Sequence, residues 1–204
     1  MARTESNSEL PLGTIAPNFE LLDVRSNTVL SRDDIFASHP QGCPRLGLLV
    51  IFASVHCPFV QHVEDQLARI GRDFNGLAGE GPLAIAAISS NDIEAYPQDA
   101  PNFMRFQADR CGWSFPYLVD PTQEVARAYH AACTPDVYLF DRELKLAYHG
   151  QIDGTRPNKY ADISDGKPSD GADLRFAIQN MFARQPPVEN QIPALGCNIK
   201  WRES

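Results

Sequence analysis

The sequence predicts an α/β protein in which helices cover both faces of a central sheet. From residue 46 onward, apolar runs of strand length alternate with segments of helical period. The run LGLLVIFAS over 46–54 is almost continuously apolar, which is typical of a central strand buried on both faces. Hydrophobic residues make up 43% of the chain and charged residues 22%, and 204 residues suit one core.

The individual elements follow in order along the chain. Apolar residues recur at spacings of three and four from Phe59 to Phe74 and predict a helix over 58–74. We expect the remaining elements as follows: strands at 83–90 and 115–120, a helix at 101–112, a helix after Pro121, a β-hairpin of 137–141 with 144–151, a surface loop over 154–170 and a helix over 171–184.

These elements divide the chain into three parts. Residues 1–11 are polar and are expected to form a flexible N-terminal tail, and residues 12–184 form the α/β domain. Residues 185–204 carry apolar side chains, from Ile192 to Trp201, that are unusual in a linker. We therefore expect this C-terminal extension to pack on the domain.

Charge and composition exclude several classes of partner and cofactor. The chain has 26 acidic and 18 basic side chains and a net charge of -8, which disfavours nucleic acid and anionic membranes. Neither a secretory signal nor an apolar run of the ~20 residues needed to span a bilayer is visible, so a cytoplasmic protein is expected. Metal-ligand spacings and nucleotide-binding glycine motifs are also missing, and no metal or cofactor is predicted.

Cys57 is the candidate nucleophile, because it lies where the buried strand passes into the long helix. Pro58 suits the first helical turn, so the Cys57 thiol would sit near free N–H groups and the positive end of the helix dipole, which favour a thiolate. The neighbouring His56 could add positive charge or accept the proton. The alternative interpretation is a small buried cysteine that fills the end of a strand.

The order of strand, Cys-Pro turn, helix and later Thr134-Pro135 hairpin resembles the thioredoxin fold. The stretches LGTIAPNFEL, HCPFVQHVE, ACTPDVYLFD, GADLR and LGCNIKW are similar to the peroxiredoxin-like (AhpC/TSA-type) branch of the thioredoxin-like superfamily. This resemblance implies an α/β fold with a central mixed β-sheet flanked by helices. It also implies a cis bond before Pro135, and a loop in which Pro58, Thr134 and Pro135 bind the substrate beside the cysteine.

Two departures from these families bear on mechanism. Val60 replaces the second cysteine of the thioredoxin Cys-x-x-Cys pair, so the usual resolving thiol is missing. The proline and arginine of the peroxiredoxin pocket are replaced by Val50 and Pro135, although Ser54 keeps the hydroxyl three residues before the cysteine. Fast peroxide reduction is therefore less expected than in those enzymes.

The resolving thiol must then come from elsewhere in the chain. Cys133 is the first candidate, because the Thr-Pro loop of this fold lies beside the active-site cysteine, and Cys197 in the C-terminal extension is the second. Cys43 and Cys111 are expected to be structural.

The predicted function is that of a thiol-disulfide oxidoreductase or peroxiredoxin-like antioxidant enzyme. Its substrate would be a disulfide or a peroxide, and its partner an external thiol reductant such as thioredoxin or glutathione. The alternative is a peptide- or protein-binding module on the same fold, without redox turnover.

Overall fold

The structure is a computed structural model that describes residues 2–37 and 44–203. Cys43, which was expected to be structural, lies outside the described residues.

In this described part of the chain there are ten strands and five α-helices. The strands are β1 (Arg3–Glu5), β2 (Glu20–Asp23), β3 (Val29–Ser31), β4 (Gly47–Phe52), β5 (Leu83–Ser89), β6 (Tyr117–Val119), β7 (Cys133–Thr134), β8 (Asp136–Asp141), β9 (Leu146–Gly150) and β10 (Leu195–Asn198). The helices are α1 (Arg32–Ala37), α2 (Pro58–Ile70), α3 (Pro101–Cys111), α4 (Glu124–Ala128) and α5 (Ala172–Phe182).

The main sheet has seven strands in the order β3-β2-β6-β5-β4-β8-β9 within the described residues. Strand β4 pairs parallel with β5 and antiparallel with β8, and β5 pairs parallel with β6. Antiparallel β2 and β3 complete one edge, and the β8–β9 hairpin forms the other. The sheet is therefore mixed and flanked by helices, which confirms the predicted fold class.

The alternation of side chains along β4 explains why this strand is apolar throughout. Leu49 and Ile51 face one core, to which α2, α3 and α5 contribute, whereas Leu48 and Val50 face a second core that contains side chains of α1 and α4. All four side chains are buried. Because neighbouring side chains on a strand point to opposite faces, a strand covered on both sides must be apolar at every position.

Helix α2 begins immediately after Cys57, as predicted. Pro58 occupies the first turn, where a missing N–H costs nothing, and the Gln61 N–H donates to the Cys57 carbonyl to start the helical ladder. Beyond Ile70 the helix continues as a π-helical turn over Gly71–Asn75, so the helical segment ends close to the predicted boundary.

A second, three-stranded sheet brings both ends of the described chain together, in the order β1-β10-β7. Arg3 lies opposite Cys197 in the β1–β10 pair, and Cys197 lies opposite Thr134 in the β10–β7 pair. Residues 3–5, which fall within the segment 1–11 expected to be a flexible tail, therefore form a strand. Strand β10 pairs with β7 along one edge, and residues 3–5 pair with the backbone donors and acceptors along its other edge.

Residues after β10 dock onto the domain through backbone groups. The Lys200 N–H donates to Asn91 Oδ1 at 2.8 Å, and the Gln123 side chain donates to the Lys200 carbonyl at 2.8 Å. None of the described helices is long and apolar enough to cross a membrane.

Candidate active site

Cys57 lies at the junction between the central sheet and α2, with its side chain completely buried. Four residues separate it from the end of β4, and it forms the N-cap position of the helix. The sulfur therefore faces N–H groups of the first helical turn that have no partner within the helix.

The neighbours of the Cys57 sulfur come from three elements. As a thiol, Cys57 donates to the Thr134 carbonyl oxygen at 3.0 Å. The backbone N–H of Val60, from α2, and the backbone N–H and thiol of Cys197, from β10, lie close enough to the sulfur to lower its pKa. Helix α2, the Thr-Pro loop and the C-terminal strand thus converge on one atom.

These contacts decide the protonation state of Cys57. Burial raises the pKa of its thiol, but hydrogen bonds from the Cys197 thiol, the Thr134 side chain and the N–H groups of Val60 and Cys197 outweigh burial and lower the pKa to about 6. The same contact acts in the opposite direction on Cys197, whose pKa is raised, first by its hydrogen bond to Cys57 and then by burial. The pair therefore holds one proton, on Cys197, near neutral pH.

Strand β10 carries Cys197 into this position through a close approach of two backbones. A Cβ on Gly196 would lie 2.2 Å from the Thr134 carbonyl oxygen and 2.6 Å from its carbonyl carbon. Real side chains do not tolerate such distances, so only glycine permits this spacing of β10 and β7. Gly196 thus allows β10 to approach the Thr-Pro loop closely, and Cys197 lies opposite Thr134 as a result.

Cys133, the first candidate for the resolving thiol, is not the cysteine that the structure brings into contact with Cys57. Its thiol donates to the Pro135 carbonyl oxygen at 3.6 Å, and its pKa is raised by burial, by Asp136 and by Cys57. Neighbouring side chains on a strand point to opposite sides. Because the Thr134 hydroxyl faces Ser54, Cys133 faces away from it.

The other residues expected to bind substrate do surround Cys57. The bond between Thr134 and Pro135 is cis, as expected, and Pro58 begins the helix behind the sulfur. The Thr134 hydroxyl lies 3.5 Å from Ser54 Oγ, and both side chains are buried. Ser54 therefore touches the loop that contacts Cys57.

His56 has a different partner from the expected one. Its Nδ1 lies 2.6 Å from Asp99 Oδ2, and its ring stacks on Tyr96 with centroids 5.7 Å apart. Within the described residues no hydrogen bond joins His56 to Cys57. Its expected role as a base for the thiol thus has no direct contact to support it.

Asp99 organises the turn before the cysteine, and no sequence pattern had indicated this role. Its fully buried carboxylate accepts hydrogen bonds from the Val55 N–H at 2.8 Å, the His56 N–H at 3.2 Å and the Asn91 side chain at 2.7 Å. A buried carboxylate is stable only when it is paired in this way. Asp99 was missed because contact with residues more than forty positions away leaves no local pattern.

Two further residues at the site were missed for related reasons. Gly196 is a single glycine in an apolar tail, and its close approach to Thr134 leaves no sequence pattern. Tyr160, an isolated aromatic residue in the polar loop over 154–170, packs against the cluster that contains both cysteines.

Cys111 lies apart from this site, at the end of α3. Burial and the neighbouring Glu64 raise the pKa of its thiol to about 12, which leaves it in the unreactive thiol form. Its expected structural role agrees with this environment. The four described cysteines are all free.

A buried cysteine at a helix N-terminus, facing a cis-proline loop on a mixed sheet, defines a thioredoxin-like protein. The family model described as the AhpC/TSA family matches residues 12–149. The chain belongs to this family, which supports a thiol-based redox function in general.

Two solved structures resemble the whole chain. An uncharacterised conserved protein from Geobacillus kaustophilus is 42% identical, with a TM-score of 0.87 over 100% of this chain and 98% of that one. A hypothetical protein from Sinorhizobium meliloti is 39% identical, with a TM-score of 0.85 over 98% of this chain and 100% of that one.

More distant structures share the fold alone. One is a putative thiol:disulfide interchange protein DsbE from Chlorobium tepidum, which is 17% identical with a TM-score of 0.56 over 85% of this chain and 99% of that one. The comparison with curated proteins found no match.

Proposed function

We propose that the protein is a thiol-dependent oxidoreductase in which Cys57 attacks a disulfide or peroxide and Cys197 resolves the product. The observation that carries this proposal is the contact between the two sulfurs at the N-terminus of α2, together with a Cys57 pKa of about 6. The thiolate is the nucleophilic form of cysteine, so Cys57 is ready to react at neutral pH.

The first step forms a bond to the Cys57 sulfur. With a disulfide, the thiolate attacks one sulfur, the substrate S–S bond breaks, and the released thiolate takes up a proton. With a peroxide, Cys57 takes one oxygen to become a sulfenic acid, and the remaining oxygen leaves as an alcohol or water after protonation.

The second step joins the two protein sulfurs. Cys197 loses its proton and attacks the Cys57 sulfur, so that an internal disulfide forms while the second substrate thiol, or water, is released. The two cysteines supply the two electrons that reduce the substrate. An external thiol such as thioredoxin or glutathione would then return both cysteines to the reduced state by thiol–disulfide exchange.

The same geometry weighs against the alternative of a binding module without redox turnover. Such a module would hold an extended peptide along the free edge of β7. Here β10 of the same chain already covers that edge, and a buried thiolate beside a second thiol serves no purpose in peptide binding.

The test is the mass of the reduced protein after stoichiometric hydrogen peroxide and, separately, after a small disulfide. The expected result is the loss of two hydrogens and a crosslinked peptide that contains Cys57 and Cys197. Cys197→Ser should instead accumulate a sulfenic acid or a mixed disulfide on Cys57, and so reveal which substrate class reacts. Cys57→Ser should abolish turnover, whereas Cys111→Ser should retain it. An inert Cys57 would refute the proposal, and a Cys57–Cys133 link would refute the role of Cys197.

A further inference from the structure

Tyr160 packs directly over the cysteine pair, although it belongs to a loop without regular secondary structure. Its ring stacks on Phe59, the second residue of α2, with centroids 4.8 Å apart. The ring is half-buried and packs against the cluster that contains both cysteines, with its hydroxyl on the side of the Cys197 sulfur. Tyr160 therefore lies beside the cysteine pair and is partly exposed to solvent.

Strand β1 holds this tyrosine in place. Arg3 lies opposite Cys197 in the strand pairing, its guanidinium carbon lies 5.8 Å from the centre of the Tyr160 ring, and it forms an ion pair with Asp162 at 2.6 Å. One side chain of β1 thus ties the loop to the strand that carries Cys197. A cation over the ring face adds attraction to this arrangement.

The Cys197 sulfur faces two donors besides Cys57. One is the Phe59 backbone N–H at the start of α2, and the other is the Tyr160 hydroxyl. Hydrogen bonds from N–H and O–H groups favour the charged form of a sulfur. In the resting state this preference is overridden, because the neighbouring Cys57 thiolate keeps the proton on Cys197.

We propose that Tyr160 is a catalytic residue of the resolving step, in which its hydroxyl donates a hydrogen bond to the Cys197 thiolate as that thiolate attacks Cys57. This inference rests on the function proposed above. Once Cys57 carries an oxygen or a substrate thiol, it is no longer negative, and its hold on the Cys197 proton is lost. Tyr160 and the Phe59 N–H, together with the positive charge of Lys200, then stabilise the Cys197 thiolate.

The step is balanced in atoms and charge. The proton of Cys197 leaves with the departing group, either hydroxide from the sulfenic acid or the thiolate of the mixed disulfide. The Cys57–Cys197 bond forms as the Cys57–O or Cys57–S bond breaks. Tyr160 keeps its own proton throughout. Its hydrogen bond to the Cys197 thiolate ends when the neutral disulfide has formed. The order of events is thereby fixed: Cys57 reacts first and Cys197 second.

The experiment uses dithiodipyridine, a chromogenic disulfide, on the full chain with Cys43→Ser and Cys111→Ser as background. Attack by Cys57 releases the first pyridinethione, and attack by Cys197 releases the second, so two phases of absorbance separate the two steps. In Tyr160→Phe the second phase should slow by about tenfold, as expected for the loss of one hydrogen bond to a charged sulfur. The pH midpoint of the second phase should also rise, because the hydroxyl that stabilises the Cys197 thiolate is lost. Phenylalanine keeps the ring stacking, so the substitution removes only the hydroxyl.

One control variant and the first phase of absorbance keep the outcomes distinct. Tyr129→Phe also loses a hydroxyl, one that donates to the Pro17 carbonyl on the opposite side of the sheet, and should leave both phases unchanged. A second phase of unaltered rate and pH midpoint in Tyr160→Phe overturns the role of Tyr160, as does a slowing confined to the first phase. Absence of the first phase in the background protein itself would instead overturn the proposed function.

Discussion

At the scale of single residues, the reactivity of Cys57 arises from its partners and not from exposure. The side chain is fully buried, and burial alone would protonate it. Hydrogen-bond donors from α2 and β10 reverse that effect. The thiol of Cys197 is one of these donors, so the second cysteine already tunes the first before any oxidation takes place.

This arrangement predicts how alkylation of Cys57 depends on pH. The rate of carboxamidomethylation at Cys57, followed by peptide mass spectrometry, should have a midpoint near pH 6 and fall about tenfold per unit below it, because only the thiolate reacts. In Cys197→Ala the midpoint should rise, since a donor is lost, whereas Cys197→Ser keeps a donor and should stay close to the wild type. A midpoint near the ordinary value of about 8.5 in the wild type would contradict this account.

At the scale of elements, β10 packs closely against the Thr-Pro loop beside Cys57. Its pairing with β7 places Cys197 opposite Thr134, and the missing side chain of Gly196 allows the two backbones to approach. The absence of a side chain on Gly196 therefore determines how close Cys197 lies to Cys57.

Gly196→Ala tests this fit. The new Cβ would collide with the Thr134 carbonyl, so β10 must shift, at a cost of roughly 1–3 kcal/mol in the free energy of unfolding. We expect Cys57 to become accessible to a bulky maleimide and the internal disulfide to form more slowly. Gly154→Ala is the matched control, because a Cβ there meets nothing within 4 Å. Wild-type behaviour of both variants would show that β10 is held less closely than described.

The sequence predicted the elements that have a long local period and missed those that depend on distant partners. The strands β4 and β5 and helix α2 could be found because six to thirteen residues repeat one pattern. The strands β1 and β10 have only three and four residues, too few for periodicity to distinguish them from loop. Cys57 and the cis Pro135 were found through motifs, whereas the contact with Cys197 depends on a pairing across the whole chain.

At the scale of the molecule, the thiolate of Cys57 is linked to folding. In the unfolded chain the cysteine should titrate near 8.5, whereas in the folded protein its pKa is about 6. The unfolded state therefore binds more protons between these values, and stability rises with pH across that interval and is lost as pH falls through about 6.

Urea unfolding of the reduced protein can measure this linkage. The free energy of unfolding of the wild type, relative to that of Cys57→Ser, should increase from pH 5.5 to pH 8.5. The serine variant lacks the Cys57 thiol, so the difference removes the contributions of groups that do not contact Cys57. A difference that is constant with pH would mean that Cys57 titrates alike in the folded and unfolded chains.

The small sheet β1-β10-β7 also determines when Cys57 and Cys197 come together. Cys197 follows Cys57 by 140 residues, a delay on the order of ten seconds or more during synthesis. Closing so long a loop comes late among folding events. Until the C-terminal strand has docked, Cys57 lacks the thiol and backbone donors of Cys197, so its pKa is expected to be higher than in the complete fold. The full acidity of Cys57 is thus expected only in the completely folded molecule, and a nascent chain that lacks β10 would carry a less reactive thiol.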